Sequence, residues 1–355
     1  MGGDNSSLYS LPIFLPHIIN IPNMKEQTLD RPTVSSSAKW FVVVNPTSGS
    51  GKGLADYPLI SKLLRDNGIV HEAVFTEHKH HATQLTVSAI ENGYRHIIVV
   101  GGDGTLHEVV NGVFIQKRVE SSEITIAMIS AGTGNDWIRM FGIPTRYSEA
   151  IRAIKEGYTF LQDVAEVSYE ESKVRQVRYM ANVAGLGFDA AVIKRTLTSK
   201  AKGYLGRGGY YWCLVRSFFS HRAAGTKVWI DDELVFNNLL FSIAIGVGKY
   251  NGGGIQQLPD AVADDGLLDV TMIRPVHWWH VLFRLRRLFN GTIYSIGHVI
   301  HAQGKKVRIE SSPEAPLEID GELYGGTPVE LQVMHREIRV VINRHFIEKL
   351  KTEVE

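Results

Sequence analysis

In the first half of the chain, runs of β-branched apolar residues alternate with segments that repeat apolar residues at helical spacing. The extended runs are residues 40–44, 70–76, 97–100 and 125–129. The helical repeats cover residues 54–64, 82–90, 106–114 and 147–155. Short apolar runs predict buried strands, and the alternation of strand with helix predicts an α/β domain. We place this domain at residues 39–160.

From about residue 161 the pattern changes to short β segments that are separated by polar or glycine turns. The segments are residues 164–168, 177–183, 226–230, 239–247, 267–273, 306–309, 317–319, 329–333 and 338–342. Many short strands of this kind predict an antiparallel sandwich or barrel, which we place at residues 161–337. Two helical stretches interrupt it, at about residues 204–220 and at residues 277–289.

The stretch 277–289 allows two interpretations. Its apolar face predicts an ordinary helix that packs on the sheet, which is the interpretation we slightly prefer. The alternative is a basic, aromatic surface that rests on anionic lipid headgroups. Its aromatic and basic groups are Trp278, Trp279, Arg284, Arg286 and Arg287.

Composition narrows the class of protein. The 355 residues are 44% hydrophobic and 21% charged, which is typical of a globular protein with substantial cores. The net charge of +1 gives no support to nucleic-acid binding, and the single cysteine, Cys213, excludes a disulfide framework.

No apolar run is long enough to span a bilayer, and no basic residue precedes Lys25, which argues against a secretory signal. Residues 1–38 predict an irregular arm, and Met24 leaves a later start open.

The central motif of the chain is the turn Gly101-Gly102-Asp103-Gly104-Thr105, which follows a strand and opens a helix. Glycines let backbone N–H groups approach an anion, and the new helix adds its positive N-terminal end. An acid in such a turn would repel phosphate unless a cation lies between them. The turn therefore predicts a nucleotide phosphate with Mg²⁺ near Asp103. A plain turn with a helix-capping Asp is the alternative.

Two further glycine-rich loops follow strands of the same domain. Residues 45–53 resemble a Walker loop, but Pro46 stands where its first glycine would fall and Gly53 follows Lys52. A phosphate-facing loop and a plain connection are equally compatible with this segment. Residues 130–137 form a second Gly/Thr-rich turn that opens a helix. Because ligands bind beyond the carboxyl ends of parallel strands, we expect the three loops to converge on one nucleotide site.

Two acidic turns lie in the second half. Residues 260–269 carry four acids in ten residues around Asp265-Gly266, and a divalent cation and a solvated loop explain them equally well. Residues 319–324 contain Asp320-Gly321-Glu322, which by itself predicts a hairpin turn with polar residues at its tip.

Taken together, these motifs resemble the diacylglycerol kinase catalytic-domain family, in its bacterial lipid-kinase branch that is also similar to sphingosine kinases. The matching segments are residues 45–52, 101–105, 132–136, 265–269 and 320–322, in the family's order. The resemblance covers nearly all of residues 39–343. It implies an N-terminal three-layer α/β domain like that of NAD kinases and phosphofructokinases, and a C-terminal antiparallel β-sandwich domain. It leaves room for a C-terminal strand and tail, residues 338–355, to return to the first domain.

The resemblance also implies roles for individual residues. The ATP site would be lined by Asn45, Thr76, Gly101, Gly102, Asp103, Gly104, Thr105, Leu106, His107 and Thr133. Asp265 and the backbone carbonyls of Val262 and Leu267 would hold a structural Mg²⁺. Glu322 would be the catalytic base in the bacterial branch, whereas sphingosine kinases use the acid that matches Asp103, so the base remains open. Asp320 completes the candidate catalytic set.

The implied reaction transfers the γ-phosphoryl group of ATP to a lipid hydroxyl, by default converting diacylglycerol to phosphatidic acid. A sphingoid base or another lipid is an alternative acceptor. An NAD kinase and a non-catalytic nucleotide or lipid sensor are less favoured, because the expected NAD kinase segments are missing and Asp103, Asp320 and Glu322 are all present. The resemblance implies a cytoplasmic enzyme that contacts the inner face of the membrane reversibly to reach its lipid. It implies no nucleic-acid partner and leaves a homodimer open.

Overall fold

The described part of this computed structural model, residues 33–35, 37–132, 134–201, 207–277, 286–344 and 346, forms two domains that share long strands. The first domain has four strands, β1 Trp40–Val44, β2 His71–Phe75, β3 His96–Gly101 and β4 Thr125–Ser130. Its helices are α1 Ser48–Asp66, α2 His81–Glu91, α3 Asp103–Ile115, α4 Asp136–Met140 and α5 Tyr147–Glu156. The strands pair in parallel in the order β4-β3-β1-β2.

The parallel sheet is the middle of three layers. Alternate residues of β1 point to opposite faces, so Phe41 and Val43 pack in one core and Val42 and Val44 in the other. Helix α3 contributes to the first core and helices α1 and α5 to the second. Burial on both faces explains why β1, β3 and β4 are largely unbroken apolar runs.

The second domain is an antiparallel sandwich. Its strands are β5 Thr159–Glu171, β6 Val174–Met180, β7 Val183–Gly187, β8 Ala224–Ile230, β9 Glu233–Leu240, β10 Ser242–Gly246, β11 Tyr250–Asn251, β12 Ile255–Gln256, β13 Leu268–Ile273, β14 Val299–Gly304, β15 Lys306–Ser312, β16 Pro316–Ile319 and β17 Glu322–Val341. One sheet has the order β14-β13-β10-β7-β16-β17, and the other β6-β5-β17-β15-β8-β9. Apolar residues from both sheets form one core between them. The predicted fold class is therefore confirmed.

Strand β17 joins the two domains. It pairs with β16 at its start and lies between β5 and β15 in its middle. After an irregularity between Met334 and Ile338, its end pairs in parallel with β4, through Arg339 opposite Thr125 and Val340 opposite Ile126. The end of β17, the last strand in the described part of the chain, is therefore the next strand of the first domain's sheet.

Some predicted strand boundaries were wrong. The segments predicted at 329–333 and 338–342 belong to the single strand β17, because β5 pairs with both parts. The segment predicted at 239–247 is divided between β9, which pairs with β8, and β10, which pairs with β7 and β13. Strand β14 was not predicted.

Two helices interrupt the sandwich between β7 and β8. They are α6 Phe188–Ala201, which was not predicted, and α7 Arg207–Ser220, which lies within the predicted stretch 204–220. The predicted helix 277–289 falls largely on residues 278–285, outside the described residues, although residues 286–289 are helical. The predicted irregular arm likewise falls almost wholly outside them. Among the helices that are described, none is long and apolar enough to cross a bilayer.

Candidate active site

The three glycine-rich loops of the first domain touch one another at the carboxyl ends of β1, β3 and β4. A Cβ atom on Gly49 would overlap the carbonyl oxygen of Ala131, and one on Gly132 would lie 2.7 Å from the Cα of Gly102. The N–H of Ala131 donates to the carbonyl oxygen of Gly101 over 2.8 Å. Only glycine permits such close backbone approach, so the glycines explain how three loops share one edge of the sheet.

Asn45 fixes the first loop to the central turn. Its Nδ2 donates to Thr105 Oγ1 over 2.9 Å, and its Oδ1 accepts from the N–H of Thr47 over 3.1 Å. Thr76 follows β2 and donates its N–H to the carbonyl of Val44, which places it at the same edge. Leu106 is buried in the core beneath the turn. Thr133 lies outside the described residues.

Asp103 holds the start of helix α4. Its Oδ2 accepts from the N–H of Asp136 over 3.2 Å, and its Oδ1 accepts from the N–H of Trp137 over 3.4 Å. Burial raises the pKa of the Asp103 carboxyl, and the nearby Asp320 carboxylate acts in the same direction, whereas the two N–H groups oppose the rise. Asp103 therefore caps a helix, but the capped helix belongs to the neighbouring loop and not to its own turn.

Asp136 is a site residue that the sequence analysis quoted within a motif but gave no role. Its Oδ2 accepts from the N–H of Gly253, in the loop between β11 and β12, over 2.8 Å. Its Oδ1 is buried without a hydrogen-bond partner among the described residues. Burial, and then the neighbouring Asp103, raise its pKa to about 6. A buried, unpartnered carboxylate oxygen beside a second acid fits a cation at this point, next to the phosphate-facing loops.

The Asp320-Gly321-Glu322 turn of the second domain reaches this site. The carboxylate of Asp320 accepts from the N–H groups of Ala181, Asn182 and Val183 over 3.0 to 3.1 Å. These bonds end the predicted strand 177–183 and divide it into β6 and β7. Its fourth partner, Nδ1 of His107, lies 3.0 Å from Oδ2. With four donors around it, the Asp320 carboxylate organises the turn and has little capacity left for a substrate.

His107 is buried between the domains. Because a carboxylate can only accept, its Nδ1 donates to Asp320, and its Nε2 lies 2.7 Å from the hydroxyl of Tyr324. Asn111, one turn further along α3, donates to the carbonyl of Tyr179 in β6 over 2.9 Å. The His107 ring therefore joins the helix of the phosphate turn to the second domain.

Glu322 is the accessible carboxylate of the turn. A Cβ atom on Gly104 would lie 3.1 Å from its Oε1, so this side chain rests directly on the glycine turn of the first domain. Its Oε2 lies 3.0 Å from the Nζ of Lys79, and 27% of the Glu322 side chain is exposed. Lys79, in the loop before α2, was not identified from the sequence, and only its tertiary neighbour reveals it.

The acidic turn 260–269 forms a separate cluster. Burial, and then the carboxylates of Asp269, Asp163 and Asp264, raise the pKa of Asp265 to about 7. Asp163, which the sequence analysis did not single out, accepts from the N–H of Gly266 over 2.7 Å. Crowded carboxylates at a turn fit a divalent cation, with Val262 and Leu267 on either side of Asp265. In the part of the chain that is described, no three side chains of His, Cys, Asp or Glu are arranged to hold a metal, so carbonyl oxygens or water would have to complete such a site.

Comparison with known families agrees with this architecture. Residues 39–167 match the family described as "Diacylglycerol kinase catalytic domain". Residues 182–342 match the "YegS C-terminal NAD kinase beta sandwich-like domain". These two matches correspond to the α/β domain and to the sandwich.

Individual relatives extend over most of the chain. The "Probable lipid kinase YegS-like" of Pseudomonas syringae pv. syringae is 30% identical over 71% of this chain and 77% of its own length. The diacylglycerol kinases of Staphylococcus carnosus and Mycobacterium tuberculosis are 27% and 26% identical, over 84% and 86% of this chain and 93% and 96% of theirs. The chain belongs to the family of diacylglycerol kinases and related bacterial lipid kinases.

Solved structures share the fold. A diacylglycerol kinase structure from Bacillus anthracis has a TM-score of 0.64 at 22% identity and covers 87% of this chain and 98% of its own. Yeast NADH kinase complexed with NADH has a TM-score of 0.51 at 13% identity, over 89% and 88% of the two chains. The likeness to both confirms the implied relation between this fold and that of NAD kinases.

Proposed function

We propose that this chain transfers the γ-phosphoryl group of ATP to the hydroxyl of a membrane lipid, with diacylglycerol as the acceptor and phosphatidic acid as the product. The observation that carries the proposal is the contact between Glu322 and Gly104. It puts an accessible carboxylate of the sandwich directly against the glycine turn that is suited to phosphate. Family membership supports the class of reaction, and the named relatives support the acceptor.

Glu322 is the base in this proposal. An alcohol is a poor nucleophile at neutral pH, so a carboxylate must lie within reach of its proton. The Asp320 carboxylate is surrounded by three backbone N–H groups and His107, and Asp103 holds the start of α4, whereas Glu322 is partly exposed and forms an ion pair with Lys79. In the transfer, the lipid oxygen bonds to the γ-phosphorus, the bond to the β-phosphate oxygen breaks to release ADP, and the hydroxyl proton passes to Glu322.

The three loops supply the positioning that phosphoryl transfer requires. Asn45 and Thr105 hold two of them together, and Asp103 holds the third through the start of α4. Asp103 and Asp136 would hold Mg²⁺ near the phosphates, and the ion would supply charge neutralisation there. Asp265 and its neighbouring carbonyls would hold a second, structural ion in the sandwich.

The test uses the full chain with labelled ATP, Mg²⁺ and separate acceptors: diacylglycerol and sphingosine in detergent micelles, and NAD in solution. We expect label in phosphatidic acid. Glu322→Gln should lower kcat by at least about a hundredfold, because general-base catalysis contributes that much. Glu330→Gln, on the same strand but in ion pairs on the sandwich surface, is the matched control and should retain the parent rate.

If only sphingosine or only NAD is labelled, that molecule is the acceptor and diacylglycerol is not. If no acceptor is labelled while the chain still binds ATP, a nucleotide sensor becomes the better account. A Glu322→Gln rate equal to that of the parent would remove Glu322 from the chemistry.

A further inference from the structure

Helix α7 exposes an apolar stripe. Trp212, Val215 and Phe219 are spaced at i, i+3 and i+7, so they share one face of the helix. Their exposed fractions are 64%, 45% and 69%. Among the described large hydrophobic residues, the exposed aromatic ones are Trp212, Phe219 and Phe289, so two of these three lie on this single face.

The other side of α7 packs on α6. Cys213 and Ser217 are buried there, and Ser199 Oγ of α6 lies 3.4 Å from Cys213 Sγ. At the ends of the pair, Arg195 of α6 donates to Ser220 Oγ over 2.9 Å. Within the described chain, the side of α7 that carries Cys213 and Ser217 is therefore buried against α6, whereas the side that carries Trp212, Val215 and Phe219 is exposed.

The stripe lies in a strongly basic stretch. The sequence between Asp189 and Asp231 contains eight lysines and arginines and no aspartate or glutamate, although the whole chain has a net charge of +1. Arg216, between Val215 and Ser217, is exposed on α7 itself. Exposed aromatic residues within an excess of positive charge are the chemistry that an anionic lipid surface recognises.

The helix pair is attached to the candidate active site. Helix α6 packs against β16, the strand that leads into the Asp320-Gly321-Glu322 turn. Its first turn carries Asp189, whose carboxylate accepts from Ser242 and Gln257 and faces Glu318 across Gly185. A surface on α7 is thus connected through one helix to the turn that carries the base.

We propose that the face formed by Trp212, Val215 and Phe219, with Arg216 beside it, docks the protein on an anionic bilayer. The proposal rests on the proposed function, because an enzyme whose acceptor is a membrane lipid has to reach the bilayer surface. The two aromatic side chains enter the interface, and Arg216, which lies beside them on α7, attracts the headgroups. Binding through these few side chains is reversible.

The test is co-sedimentation of the full chain with vesicles of phosphatidylcholine, with and without phosphatidylglycerol. The parent should bind the vesicles that contain phosphatidylglycerol. The double variant Trp212→Ser/Phe219→Ser should bind at least about tenfold more weakly, since both aromatics leave the interface. Arg216→Gln should weaken binding only to the anionic vesicles and mainly at low salt, because salt screens this attraction. Val174→Ser/Leu239→Ser, which removes two apolar side chains of similar exposure from the sandwich, is the matched control and should bind like the parent.

Equal vesicle binding by the parent and the Trp212→Ser/Phe219→Ser variant would overturn the proposal. The proposal would also be overturned if analytical ultracentrifugation showed a dimeric parent and a monomeric variant. That result would mean that the face binds a second copy of the chain. Phosphorylation of a short-chain, water-soluble diacylglycerol is measured in parallel. If a variant that no longer binds vesicles still phosphorylates this soluble substrate, docking is a role separate from catalysis. If the parent does not phosphorylate it, the proposed function is contradicted. The vesicle binding of the parent and the variants still tests the docking proposal in that case.

Discussion

The Nδ1 atom of His107 lies 3.0 Å from the Oδ2 atom of Asp320, although 213 residues separate them in the chain. The two residues belong to different domains and are both buried. Their hydrogen bond ties helix α3, which begins in the phosphate turn, to the turn that carries Glu322. It therefore helps to set how the two domains face each other across the site.

The first prediction concerns this bond. His107→Phe should lower the free energy of unfolding by about 1 to 3 kcal/mol, because the buried Asp320 carboxylate and the Tyr324 hydroxyl each lose a partner. Urea unfolding monitored by fluorescence measures the change. His78→Phe, at an exposed position before α2, is the control. An unfolding free energy equal to that of the parent would show that the bond does not stabilise the domain arrangement.

The second prediction concerns Asp103. Asp103→Asn should retain the fold, because the amide oxygen can still accept one N–H of α4, but phosphoryl transfer should fall by roughly a thousandfold if the carboxylate contacts the metal. Steady-state kinetics with saturating Mg²⁺ measure this loss, and circular dichroism checks the fold. Asp66→Asn, at an exposed position on α1, is the control. Turnover close to that of the parent would remove Asp103 from the metal site.

The third prediction concerns the acidic turn 260–269. If Asp265 holds a structural ion, Mg²⁺ should raise the melting temperature of the parent, since a ligand that binds only the folded state stabilises it. Asp265→Ala should abolish this dependence, and Asp232→Ala, an exposed acid of the sandwich, should retain it. The melting temperatures of the parent and both variants are measured with Mg²⁺ and with a chelator. Identical melting temperatures of the parent in both conditions would leave the turn without a metal role.

The fourth prediction concerns a buried acid pair. Burial, and then the carboxylate of Asp189, raise the pKa of Glu318 from 4.5 to about 8, and burial raises that of Asp189 to about 6. An unfolded chain releases these protons more readily than the folded one. The contribution of this pair to stability should therefore be fully present below the unfolded pKa values of 3.8 and 4.5, and should be lost as the pH rises through the folded values of about 6 and about 8.

Glu318→Gln should flatten this dependence, because glutamine mimics the protonated side chain and has no proton to release. Unfolding free energies measured from pH 5 to 8 should fall less steeply in this variant than in the parent. The difference in slope should be at most about 1.4 kcal/mol per pH unit for one proton. The exposed substitution Glu310→Gln should leave the parent slope unchanged. Parallel curves for Glu318→Gln and the parent would contradict the predicted proton on Glu318.

The sequence alone determined the alternation of strands and helices in the first domain and the identity of the glycine loops. Strands β1 and β3 are buried on both faces, so they read as continuous apolar runs, and the loops after them had to lie at one edge of a parallel sheet. The pattern of short strands predicted a sandwich or a barrel, and the family resemblance favoured the sandwich and added the relation to NAD kinases. Strand boundaries were less predictable where pairing partners change, as at β9 and β10, because pairing is not local information.

Only the tertiary structure decided what the acids do. Local spacing could not show that Asp103 holds the start of α4, that Asp320 is occupied by three backbone N–H groups, or that Glu322 rests on Gly104 and pairs with Lys79. These contacts join segments that lie far apart in the chain and depend on how the sandwich meets the α/β domain. A carboxylate's role is set by the donors and charges around it, and those neighbours come together only when both domains are folded.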